Sequence, residues 1–260
     1  MPRLALVLTL VFLVPAWAHA SVDQALGLAS AGQRERARAV LDSLLAGGAL
    51  QGGDRDRAVV QRALLAESGL DFETRAREAL ASEAGRAMAG RLHLELGHVA
   101  MARGDLGDAL AAYRDARERG MDEEGSLWEG LALLALGDGV GARSALKRAA
   151  ESGNAALRAR ARLATADAYR AAGDWDKAAS MYESLGDDPA NGWRSTALWH
   201  YGVCQEAQNR MPQARDAWSR LVALAPASRE APLARARLRA TEDWETGSLE
   251  LEAGTPEGRP

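Results

Sequence analysis

Residues 97–116 read GHVAMARGDLGDALAAYRDA, residues 130–149 read GLALLALGDGVGARSALKRA, and residues 166–185 read ADAYRAAGDWDKAASMYESL. The three segments share one pattern. A small residue (Gly97, Gly130, Ala166) is followed seven positions later by a glycine (Gly104, Gly137, Gly173). An alanine comes next (Ala109, Ala142, Ala178), then a bulky residue (Tyr113, Leu146, Tyr182) four positions on. Glycine supplies the left-handed turn that ends one helix. The aspartate after it (Asp105, Asp138, Asp174) suits the cap of the next helix and its N-terminal dipole. Alanine and the bulky residue then lie on one face at i, i+4. A glycine inside the first helix costs about 1 kcal/mol relative to alanine, and close packing of the second helix is the compensation.

Working outward, the same pattern fits Gly32-Ala37-Leu41 and, with Asn in place of Gly, Asn209-Ala214-Trp218. A degenerate copy is read at Asp71-Ala76-Leu80. The turns then fall at 32, 71, 104, 137, 173 and 209, a near-regular spacing of two antiparallel helices per copy. An all-α chain of about five to six repeats over residues 21–240 is predicted, clearest from 90 to 240 and degenerate from 47 to 84. Composition agrees, because 47% of the chain is apolar while aromatics make up only 5%.

The ends read differently. Arg3, the apolar run from Leu4 to Val14 and the close Ala18-His19-Ala20 predict a signal peptide over 1–20, cut between Ala20 and Ser21. The run is about 16 Å long as a helix, half a bilayer core, so no permanent span is expected. The mature chain is expected to be exported, and periplasmic in a Gram-negative bacterium, in keeping with 30 Arg against 2 Lys. From 241 to 260 six acids (Glu242, Asp243, Glu245, Glu250, Glu252, Glu257) face one base, Arg259, and an acidic disordered tail is predicted. Residues 21–240 hold equal numbers of acids and bases, so the net charge of −4 originates in the tail.

Several classes fall away. A net charge of −4 is no nucleic-acid footprint, and one cysteine permits neither an internal disulfide framework nor a cysteine-cluster metal site. No His-Glu-x-x-His, nucleophile-elbow or phosphate-loop pattern occurs, and the cluster Gly137–Gly141 is read as an inter-helix turn. His93 and His98 stand five apart, off one helix face. No catalytic residue, metal or cofactor is expected. Cys204 reads as a buried small hydrophobe, and Trp128, Trp175, Trp199 and Trp218 as packing residues.

Leu96-Gly97, Ala109, Tyr113 and Ala116, and again Gly202, Ala214, Trp218, Leu221 and Pro226, resemble the tetratricopeptide repeat (TPR) pattern. Residues 195–238 are similar to the closing repeats of TPR proteins of the bacterial cell envelope. The resemblance implies a right-handed α-solenoid that acts through the concave surface of successive first helices. In the family's register the groove-facing residues are Arg91, Leu94, His98 and Met101, then Glu124, Leu127 and Leu131. Arg160, Asp167 and Arg170 follow, and lastly Trp199 and Glu206. It implies a non-catalytic scaffold that docks a partner protein or peptide segment in that groove. A carrier of unfolded or apo-proteins and an accessory subunit positioning a cell-wall or polysaccharide enzyme are the alternatives.

Overall fold

The computed structural model describes residues 21–241; the expected signal peptide and the acidic segment from 242 onward lie outside the described residues. Every regular element among the described residues is an α-helix. Two compact units, Met1–Leu92 and His93–Pro260, divide the chain.

The first unit holds α1 (Val22–Ser30), α2 (Arg34–Ala46), α3 (Gly52–Leu64), α4 (Gly69–Ala81), α5 (Glu83–Ala87) and the start of α6 (Ala89–Arg103). Ser21 opens α1 by accepting from the Gln24 amide, and Gly32 ends it with φ 78° before α2. Val22, Ala25, Ala37, Leu41, Ala58 and Leu65 make a core among α1, α2 and α3. The copy read at Asp71 starts in a different place. Ser68 caps α4 by accepting from the Asp71 amide, which puts Asp71 in the first turn of the helix. Its carboxylate accepts from Arg75 at 2.7 Å and pairs with the buried Arg62 at 3.3 Å. Ala76 is buried as expected. The short helix α5 was not foreseen. Ser82 caps it at the Gly85 amide, and a Cβ on Gly85 would stand 1.7 Å from the Ala79 carbonyl oxygen. Only glycine allows the chain to double back so closely there.

The second unit continues α6 from His93 and adds α7 (Leu106–Glu118), α8 (Asp122–Ala135), α9 (Gly139–Ala150), α10 (Ala155–Ala171), α11 (Trp175–Asp187), α12 (Arg194–Ala207), α13 (Met211–Leu224) and α14 (231–241). From α7 to α13 consecutive helices pack on each other, and the first helices α8 and α10 also touch. Gly104, Gly137 and Gly173 turn at φ 84°, 81° and 75°, and Asn209 takes the same left-handed conformation at φ 58°. Asp138 and Asp174 cap α9 and α11 with their carboxylates, whereas Asp105 turns its carboxylate to Arg103 at 2.9 Å.

The small-to-bulky pairing is the packing rule of this unit. A Cβ on Gly97 would lie 2.4 Å from the Tyr113 ring, one on Gly130 2.5 Å from Leu146, and one on Gly202 2.2 Å from Trp218. Tyr113, Leu146 and Trp218 are fully buried. Ala166 and Tyr182 share one core cluster in the same way. Ion pairs link neighbouring repeats at about the repeat period: Arg210 to Asp176 at 3.1 Å, Arg237 to Glu206 at 3.2 Å, and Arg220 to Asp187.

Candidate functional site

Within the second unit, the first helices α6, α8, α10 and α12 carry nearly all the residues anticipated for the groove. Leu94, 5% exposed within the Tyr113 cluster, is one correction, and Leu127 is the other. It is 6% exposed and packs with Leu133, Ala142, Leu146 and Leu157, so it belongs to the core and offers nothing to a partner. The hydrophobic pairing of α8 with α9 outweighs its assigned register, because burying a leucine stabilises by about 2 kcal/mol. Arg91 is exposed and belongs to the first unit.

His98 and Met101 lean on the aromatic part of the core. The His98 ring meets Trp128 edge-on at 4.5 Å and lies 5.6 Å from Tyr113. Its Nδ1 faces Glu95 Oε2 at 3.3 Å, while Nε2 is buried without a hydrogen-bond partner. Met101 is half-buried against the Tyr113 cluster. His98 therefore joins α6 to α7 and α8 rather than standing free.

Three helices bring a second polar group together. Tyr182 on α11 donates its hydroxyl to Asp167 Oδ1 on α10 at 2.5 Å, and the buried Arg170 Nε has no hydrogen-bond partner among the described residues. Arg170 also sits 3.8 Å from Asp167. His200 on α12 stacks on Tyr182 with centroids 5.3 Å apart. Burial, with the Asp167 charge added, holds the Tyr182 hydroxyl well above its ordinary range. Burial pushes His200 below its usual value; Arg170 adds to this, while Asp167 and Glu230 oppose it. The buried Cys204 thiol beside them is pushed up to about 11, chiefly by burial. At neutral pH the group therefore presents a neutral imidazole, a protonated thiol, a protonated phenol and a guanidinium–carboxylate pair. Such a set can donate and accept hydrogen bonds, and it holds no activated nucleophile.

Trp199 is half-buried with its ring 6.0 Å from Trp218, and its carbonyl accepts the Trp218 indole N–H at 3.4 Å. Glu206 is tied to Arg237. Arg160 and Glu124 differ from these. The Arg160 guanidinium lies 4.3 Å over the Trp193 ring, and neither residue has an ion pair among the described residues, although both are half-buried. The sequence reading passed over one charged centre entirely. Glu129 on α8 is 5% exposed and gathers arginines from α7 and α9. Its signal, an acid on the inner face of an otherwise apolar helix, is visible in LWEGLALLA once the face is known.

A family model described as "Tetratricopeptide repeat" matches residues 160–189 and 196–228, which frame α10–α11 and α12–α13. These two segments match the tetratricopeptide repeat. Its fold is similar to that of PilF from Pseudomonas aeruginosa, with TM-score 0.57 and 17% identity over 83% of this chain and 95% of that one. It is similar also to the C-terminal part of a TPR repeat-containing protein from Cytophaga hutchinsonii, with TM-score 0.54 and 17% identity over 82% and 98% of the two chains. A tetratricopeptide repeat protein from Parabacteroides merdae gives TM-score 0.51 and 13% identity over 85% and 97%. No curated protein sequence matches the chain. At these identities the likeness concerns the fold alone, an all-helical TPR-type arrangement of paired helices. Among the described residues no helix is long and apolar enough to cross a membrane.

Proposed function

We propose that the protein is an exported, non-catalytic adaptor of the bacterial cell envelope that docks a partner segment along the first helices of its second unit. One observation carries the reading. Glu124 and Arg160 stand on the adjacent first helices α8 and α10, half-buried, and neither has a counter-charge among the described residues. Partial desolvation of an unpaired charge is unfavourable, and a bound segment bearing the opposite charges relieves it. Met101 and Trp199 add half-exposed apolar surface on the same series of helices, suited to side chains between those charges. The leader sequence supports export, and the arginine bias supports a bacterial periplasm.

The test is affinity capture from a periplasmic extract with the mature chain, comparing wild type with Glu124→Gln, Arg160→Gln and the double variant. A partner recovered at least tenfold less by the double variant supports the groove. Equal recovery by all forms refutes it. Mass spectrometry of the secreted protein checks the address, with Ser21 as the expected first residue. Retention of residues 1–20 refutes cleavage.

A further inference from the structure

Three arginines of the second unit converge on one carboxylate. Arg114 Nε donates to Glu129 Oε1 at 3.0 Å, and Arg117 Nη1 and Arg148 Nη2 share Oε2 at 2.8 and 3.4 Å. Arg148 Nε also donates to Ser126 Oγ at 3.2 Å. Because Arg117 and Arg148 bind the same oxygen, their bonded nitrogens are no more than about 6 Å apart.

The charges do not balance. One carboxylate against three guanidiniums leaves two positive charges in one place. Each guanidinium carries five N–H donors, and the four bonds above use only a fraction of them. The Arg114, Arg117 and Arg148 side chains are 49%, 24% and 41% exposed, so their outer edges reach solvent, while Glu129 is buried beneath them. Of the acids nearest in sequence, Asp115 pairs with Arg119 and His93, Glu123 accepts from the Ser152 hydroxyl, and the exposed Glu118 and Glu151 have no ion pair among the described residues. Buried Glu129 orients the three forks in advance, which lowers the ordering cost for a ligand.

We propose that Arg114, Arg117 and Arg148 bind a doubly charged oxyanion of the phosphate class on the second-helix side of the repeats. Planar guanidinium forks match phosphate oxygens in geometry, and a phosphate dianion matches the uncompensated charge. The site lies on α7 and α9, so it is independent of a partner held on the first helices.

Inorganic phosphate is titrated into the full mature chain at constant ionic strength, with the arginine Nε–H resonances observed by NMR. Saturable shifts at Arg114 and Arg148, competed by sulfate, are expected. Arg114→Gln with Arg148→Gln lowers the affinity at least tenfold, and Arg220→Gln, at an ion pair elsewhere, leaves it unchanged. Glu118→Gln raises the affinity by removing a competing charge on α7; it decides the matter should the double variant fail to fold. Shifts that track ionic strength alone, or an unchanged affinity in Glu118→Gln and the double variant, overturn the site. Vesicles of phosphatidylcholine with phosphatidic acid distinguish the source. Sedimentation competed by phosphate assigns the anion to a lipid headgroup, and phosphate binding without sedimentation assigns it to a soluble phosphate. Sedimentation that phosphate does not compete, in a chain that shows no saturable shifts, overturns the proposal.

Discussion

Gly202→Ala puts the packing rule to its sharpest test. The added methyl would lie 2.2 Å from the Trp218 indole nitrogen and 2.7 Å from two further ring atoms. Trp218 is 0% exposed and wedged among Leu198, Ala214, Leu221, Ala231 and Ala234, so the ring has no free space to enter. Overpacking of this kind costs about 1–3 kcal/mol. Displacing the ring also weakens its bond to the Trp199 carbonyl, a further ~1 kcal/mol. Better helix propensity returns about 1 kcal/mol. The net is about 2 kcal/mol of destabilisation, equivalent to a fall in melting temperature of about 4–8 °C. Gly107→Ala is the control, since Gly107 lies exposed in α7 with nothing within 4 Å of an added Cβ. It is expected to stabilise by about 0.5–1 kcal/mol. Urea unfolding followed by tryptophan emission and helical circular dichroism measures both. A Gly202→Ala protein as stable as Gly107→Ala would refute the view that glycine is there to seat the tryptophan.

Other perturbations follow from the second unit. His200 and His93 are held below their usual pKa in the fold, mainly by burial, so the unfolded chain binds more protons as pH falls through 6.5. Stability is expected to rise with pH across the window between their lowered values and 6.5; His200→Gln should flatten that slope in urea midpoints taken from pH 5 to 8, and an unchanged slope removes His200 as its source. Cys204, fully buried and with its thiol pushed up to about 11, should be about one part in a thousand thiolate at pH 8. A disulfide reagent is then expected to label it only after denaturation, and rapid labelling of the native protein counts against the buried placement. Asn209→Ala forces alanine into a φ of 58° and should cost about 1–2 kcal/mol, while Asn209→Gly should be near neutral; equal thermal unfolding of both variants contradicts a left-handed turn.

Most of the architecture was legible because its determinants are local. Gly32, Gly104, Gly137, Gly173 and Asn209 announce turns by the backbone they require, and all five take it. The reading failed at Asp71, where the turn is made by a serine cap and the aspartate is recruited into salt bridges with Arg62 and Arg75 from within α4. Residues of the interaction face were harder to place. A register says which side of a helix a residue occupies, yet Leu127 is swallowed by packing and His98 is absorbed by Trp128 and Tyr113. The arginines on Glu129 come from the two flanking helices at sequence separations of 12 to 19, so no single stretch of sequence displays them.

The seats at Gly97, Gly130 and Gly202 have a consequence for how the chain finds its structure. Each occupant (Tyr113, Leu146, Trp218) arrives sixteen residues downstream, so the defining contact of every pair closes a short loop. Low contact order favours fast folding, and neighbouring pairs can form before distant ones meet. A chain built from near-copies also risks docking a helix onto the wrong neighbour. The occupants differ in size and shape from seat to seat, so an exchanged pairing leaves a void in one place and a clash in another. The repeats are alike enough to stack and dissimilar enough not to be confused.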